Sequence, residues 1–130
     1  MRRSGRLGEV VSRAQVDYAL RWLWAFVFTE LVETGIYVPA LGARPLRERL
    51  AIGLGASAIT HPIVWYVIPE IGQALAIGWW PTVAIAETFA VLVEAAWLAA
   101  FGVRRAFVWS LAANMASFGL GLFGYTILNW

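Results

Sequence analysis

The chain has 130 residues, of which 61% are hydrophobic and 14% charged, with a net charge of +2 and a mean hydropathy of +0.69. That apolar content exceeds the roughly 45–50% of soluble domains and, at this length, describes one membrane-embedded domain. Cysteine is absent, which excludes disulfides and thiolate metal sites. All ten basic residues are arginines placed close to apolar runs, a pattern that suits anionic lipid headgroups and excludes a nucleic-acid partner.

The N-terminal stretch MRRSGRLGEVVSRAQVDY begins basic but has no apolar core before residue 19. It therefore lacks the pattern of a cleavable signal peptide. Residues 1–18 are expected to form a basic tail, either disordered or folded as a short interfacial helix with Val10, Val11, Ala14 and Val16 on one side.

Residues 19–130 read as a single all-α, polytopic transmembrane four-helix bundle with short loops. A membrane helix needs about 20 apolar residues. Four segments meet that length, at about 22–41, 46–68, 81–101 and 106–128. Between them lie GARPLRER, PEIGQALAIGWWP and the tight turn GVRR. Pro81 suits the first turn of a helix, where its missing N–H is no loss.

Loops one and three carry five arginines, Arg44, Arg47, Arg49, Arg104 and Arg105, and by the positive-inside rule they face the cytoplasm. The tail, on the opposite side, carries another five, Arg2, Arg3, Arg6, Arg13 and Arg21, so the rule is balanced and the two acids of the tail tip it only slightly. Trp22, Trp24, Trp65, Trp79, Trp80 and Trp130 fall near the tail and loop-two side, as interfacial anchors do. The expected location is the prokaryotic inner membrane, with the lipid bilayer as partner and a homodimer or larger membrane complex as a further option.

The polar residues inside the spans carry the functional signal, because intramembrane acids are costly and face a cavity or a partner. Glu30, Glu33, Thr34 and Tyr37 share one helical face, as do Glu87 and Glu94. The second span offers Ser57, Thr60 and His61, and the fourth offers Ser110, Asn114 and Ser117. The economical arrangement turns all four stripes inward. Counted from the tail and loop-two side, Glu30, His61 and Glu87 lie at a similar depth of roughly 10 Å, with Glu33 a turn deeper. Glu94, Ser110 and Asn114 form a second expected layer nearer the arginines.

Pro62 removes its own N–H and frees the carbonyl of Ala58, so a kink beside His61 is expected to open backbone carbonyls to a polar cavity. The resulting ion or proton site comprises Glu30, Glu33, His61 and Glu87. Imidazole and carboxylates suit a divalent metal, with Glu30, His61 and Glu87 as ligands, and the same groups suit a proton relay. The structural alternative is that these residues only hydrogen-bond helices together.

The stretches TELVETGIY, ITHPIVW and SLAANMASFGLGL, with Glu87 and Glu94 between them, resemble a group of small prokaryotic four-span membrane proteins to which no activity is assigned. The resemblance covers roughly residues 22–125 and implies membership without a mechanism. Glu30 with Thr34 is also similar to the first-span acid of the small multidrug resistance transporters, although those lack the Thr-His-Pro element and the acid pair of the third span. Three functions follow as expectations. The favoured one is cation- or proton-linked transport or ion binding. The second is an intramembrane enzyme using a glutamate base or metal-bound water, which lacks an H-E-x-x-H or G-x-S-x-G signature. The third is a non-catalytic membrane subunit or assembly factor.

Overall fold

The computed structural model describes residues 2–128, with side chains described at residue 13 and from 15 to 127. The described residues form helices joined by short turns. They are α1 (Arg2–Ala40), α2 (Leu46–Pro62), a π-helical turn (Ile63–Val67), α3 (Ile68–Ala74), α4 (Trp79–Ala100), α5 (Ala106–Phe123) and a second π turn (Gly124–Leu128). Three continuous helical stretches are long and apolar enough to cross a membrane: Leu46–Ala74, Trp79–Ala100 and Ala106–Ile127. The segment expected as a first span falls short of that apolarity, because Glu30 and Glu33 lie in its middle.

α1 corrects the reading of the tail. It runs unbroken for 39 residues, so the segment from residue 2 to residue 18 continues the same helix instead of standing apart from it. No proline interrupts it before Pro39. At 1.5 Å per residue it is about 58 Å long, nearly twice the roughly 30 Å of a bilayer core. The side chains of Val10, Val11 and Ala14, and all of Trp130, lie outside the described residues.

The second loop is also shorter than expected. Pro69, Glu70 and Gly72 are helical, and the connection shrinks to residues 75–78. Pro69 falls at the start of α3, just past the π turn, where a missing N–H is tolerated. Pro62 ends α2 without breaking the rod. A π-helical turn follows directly, with the Ile68 N–H reaching the Ile63 carbonyl, so the helical path continues past Pro62. Ala58, whose carbonyl Pro62 releases, lines an apolar groove and not the polar cavity that was expected. Pro81 does sit in the first turn of α4.

The helices form a ring in which α1 packs on α2 and α5, and α4 packs on α2 and α5. Gly53 lets α1 come close, since an added Cβ there would lie 3.2 Å from Thr34 Cγ2. Three tiers stack along the ring. Next to the first and third loops is an apolar tier built on Tyr37, Leu41, Ile52, Ala56, Leu98, Val103, Ala106 and Ala113. Two hydrogen bonds staple it: Trp97 Nε1 donates to the Ile52 carbonyl at 2.9 Å, and Arg44 Nη2 donates to the Phe101 carbonyl at 2.6 Å. The middle tier is polar. The third, toward the second loop, is aromatic: Tyr18, Trp22, Phe26, Trp65 and Tyr66 pack edge-on, tilted or stacked around His61.

Gly72 marks the closest approach of α3 to α4. A Cβ at that position would lie 2.6 Å from Thr82 Oγ1 and 2.9 Å from its Cγ2. Thr82 is β-branched and buried, so it has no free rotamer to retreat into. The Gly72→Ala variant is therefore expected to lose about 1–3 kcal/mol of stability, measured as a lowered midpoint of unfolding in detergent. An unchanged midpoint would show that α3 is not held against α4.

Candidate functional site: a carboxyl core with neutral partners

The four polar stripes meet on the axis of the ring. Glu33 from α1 and Glu94 from α4 are 2% and 1% exposed, so neither carboxyl reaches solvent or lipid. Glu33 receives hydrogen bonds from the Ser57 hydroxyl of α2 and from Ser117 Oγ of α5, the latter at 2.6 Å. Glu94 receives three, from Tyr37 Oη of α1 at 2.5 Å, Thr60 Oγ1 of α2 at 2.7 Å and Asn114 Nδ2 of α5 at 2.8 Å. Each carboxyl thus collects donors from helices other than its own, and together they tie α1, α2, α4 and α5 to one another.

The supporting bonds fix the donors. Asn114 Nδ2 also reaches the Ser110 carbonyl at 3.0 Å, and Ser110 Oγ donates to the Val91 carbonyl at 2.8 Å. Thr60 Oγ1 lies 3.2 Å from the Ser57 carbonyl, and Ser117 Oγ lies 3.2 Å from the Asn114 carbonyl. Glu30 sits at the edge of this core, where Thr34 Oγ1 donates to its Oε2 at a long 3.5 Å. Its other oxygen, Oε1, is buried without a partner. Glu30 and Thr34 are the polar residues on the wall of an otherwise apolar groove of about 750 Å³ between α1 and α2. Glu87 is half-buried and shares the inward face of α4 with Glu94. Glu94 lies within electrostatic reach of Glu30, Glu33 and Glu87 alike. None of the four is salt-bridged to an arginine among the described residues, where Arg44 pairs instead with Glu48 at 3.8 Å.

The layering expected from depth alone is corrected in two respects. Glu94, Ser110 and Asn114 do come together, with Asn114 Nδ2 bonded to Glu94 Oε2 and to the Ser110 carbonyl. They are not a separate layer, however, since Thr60 reaches the Ser57 carbonyl and Ser117 the Asn114 carbonyl, linking them to Glu33. Counted from the arginine side, Glu33 lies seven residues before the end of α1 and Glu94 six before the end of α4, which puts them level. Glu30, His61 and Glu87 are not assembled as a metal-ligand set either. Among the described residues no group of three or more histidine, cysteine, aspartate or glutamate side chains is arranged to hold a metal ion. His61 turns into aromatic surroundings, with its ring centroid 5.2 Å from Phe26, 5.8 Å from Trp65 and 6.1 Å from Trp22.

Tyr37, Ser57, Thr60 and Ser117 lie on the stripes visible in the sequence but outside the expected site. The available signal was spacing: Tyr37 follows Glu33 by one turn, and Ser57 and Thr60 lie within one turn of each other. Trp22 and Trp65 were expected as interfacial anchors, yet both pack on His61, whereas Trp24, Trp79 and Trp80 are exposed as anchors are. Comparison with family models, curated protein sequences and solved structures finds no match.

Removing the acceptor at the centre should cost far more than removing its charge. Glu94→Leu removes the shared acceptor of Tyr37, Thr60 and Asn114. Thr60 can turn to the Ser57 carbonyl and Asn114 keeps the Ser110 carbonyl, but the buried Tyr37 hydroxyl and one Asn114 N–H are stranded, at about 1–3 kcal/mol each. Glu94→Gln keeps an acceptor of the same shape. Thermal unfolding in detergent should show Glu94→Leu as severely destabilised and Glu94→Gln as close to the parent; equal losses would contradict the hydrogen-bond account.

Proposed function

We propose that this is a four-helix integral membrane protein whose buried glutamates bind and release protons, as a proton-linked transporter does. In this reading α1 crosses the bilayer with the three more apolar helices, and its two glutamates are sheltered within the ring. The physical starting point is cost: an ionised carboxylate in a low-dielectric interior is unfavourable by several kcal/mol unless a cation or proton neutralises it.

The observation that carries the reading is the kind of partner each carboxyl has. A neighbouring arginine would hold a glutamate permanently ionised. Hydroxyl groups both donate and accept, so they fit either state. Thr60 stands 2.7 Å from Glu94 Oε1 and 3.2 Å from the Ser57 carbonyl. Ser117 stands 2.6 Å from Glu33 Oε1 and 3.2 Å from the Asn114 carbonyl. When the glutamate is ionised, the hydroxyl donates to it. When the glutamate carries a proton on that oxygen, it donates to the hydroxyl, whose own hydrogen rotates to the backbone carbonyl. Both carboxyls can therefore gain or lose a proton without leaving a buried group unpaired. The closeness of the other glutamates adds to this, since like charges packed together favour keeping protons on some of them.

The same network, fully paired across four helices, also supports a second reading as a non-catalytic subunit in which the glutamates act only as staples. Infrared spectroscopy of the protein in lipid vesicles separates the two. The proton-binding reading expects a protonated-carboxyl C=O band that loses intensity reversibly as pH rises and is removed in the Glu33→Gln, Glu94→Gln double variant. Absence of such a band, or a band that stays constant until the protein unfolds, would overturn it in favour of the staple.

A further inference from the structure

Two columns of side chains face each other between the carboxyl core and the second-loop side. Along α1, Trp22, Phe26 and Glu30 follow one another at one-turn intervals. Along α2 and the π turn, running the opposite way, Ser57, His61 and Trp65 do the same. The columns meet through the rings, with His61 flanked by Trp22, Phe26 and Trp65, and Ser57 donates to Glu33 one turn further in.

Among the described residues, four buried side-chain polar atoms have no hydrogen-bond partner: Trp22 Nε1, His61 Nε2, Glu30 Oε1 and Arg49 Nε. Three of the four belong to these facing columns. Each orphaned atom costs about 1–3 kcal/mol, and natural proteins retain such atoms chiefly where a water, an ion or chemistry uses them. The contrast with the inner core is sharp, because every carboxyl oxygen of Glu33 and Glu94 is paired. The groups are also of the right kinds and in the right order: an indole that only donates, an imidazole that does either, and a carboxyl oxygen that accepts. Other titratable groups border the columns. Tyr66 packs on Trp22 at a centroid separation of 5.8 Å, Tyr18 donates to the Trp65 carbonyl at 2.9 Å, and Glu87 faces inward from α4. α5 contributes Ser117 and Asn114 and no charged side chain to this region.

We propose that these columns are the path by which protons pass between the second-loop side and the carboxyl core, with His61 as the relay and Glu30 as the first acceptor beyond it. The inference rests on the proton-binding reading above. In the inward step a proton from water on the second-loop side forms an N–H bond on one imidazole nitrogen, the N–H bond on the other breaks and its proton passes to the Glu30 carboxylate at Oε1, so the ring returns to its neutral state. Glu30 then holds the proton on Oε1 before it reaches Glu33. Trp22 does not relay, since an indole N–H does not give up its proton; its ring packs on His61 and holds the imidazole in place.

The test is the rate at which the protonated-carboxyl infrared band shifts when vesicles containing the protein are switched from H₂O to D₂O. The His61→Phe variant keeps an aromatic ring against Trp22, Phe26 and Trp65 and removes both ring nitrogens. It is expected to slow the shift about tenfold or more, in keeping with what a positioned acid–base group contributes, while backbone amide exchange and the unfolding midpoint stay as in the parent. If His61→Phe does not fold, His61→Gln, which hydrogen-bonds but has no second ring nitrogen to release a proton, is measured in the same way with the same expectation. A shift as fast as the parent's in the folded variant would overturn the path while leaving the proton-binding core intact. Absence of the protonated band in the parent itself would remove both.

Discussion

Two carboxyl groups lie on the axis of an apolar helical ring, and only hydroxyl and amide groups receive them. That requirement sets the positions of the surrounding helices. Tyr37 must reach across the ring from α1 to Glu94, Thr60 must face inward from α2, and Asn114 and Ser117 must occupy the inner face of α5. Rotating any helix by a third of a turn would strand a buried donor or acceptor. In a bilayer, as proposed, apolar side chains alone would impose no such rotation, because leucine and valine pack about equally well against lipid and against one another. The polar core therefore supplies specificity, and the apolar tier beside it supplies close packing.

The three tiers also differ in how completely their polar atoms are satisfied. At the arginine end, backbone carbonyls are capped by Trp97 and Arg44. In the middle, the two glutamates are fully paired. Toward the second loop, Trp22, His61 and Glu30 are buried with atoms left over. The proposed proton function would use this gradient, with an inner site that holds a proton stably and an approach to it that exchanges partners readily.

Much of this arrangement was legible in the sequence. The polar stripes on the four segments followed from helical spacing, and they do converge: Glu30, Glu33, Thr34, Ser57, Thr60, His61, Glu94, Ser110, Asn114 and Ser117 are all buried. What spacing could not supply was axial register between helices. Depth was counted from segment ends, and the ends were misjudged where Pro69 and Gly72 proved helical. Taking the second helical stretch to end near residue 68 instead of Ala74 understates the depth of His61 by several residues at 1.5 Å each. Glu94, in contrast, is counted from the third loop, which lies where expected, and only its link to Glu33 did not follow from the count. Histidine also reads from sequence as a ligand or acid–base group, whereas its surroundings here are set by aromatic residues a full helix away, Trp22 and Phe26. The unbroken α1 was missed because the tail is polar, and composition there reports solvent exposure more than backbone conformation.

The central claim is that protons, and not a positively charged side chain, neutralise Glu33 and Glu94. The most direct measurement is the carbon-13 chemical shift of the side-chain carboxyl carbons of these two residues, assigned with the Gln variants, in lipid bilayers near neutral pH. The account predicts that the pair carries at least one proton, with a shift in the carboxylic-acid range that moves reversibly to the carboxylate range as the pH is raised. Two carboxylate shifts, unchanged across the pH range in which the protein stays folded, would contradict it.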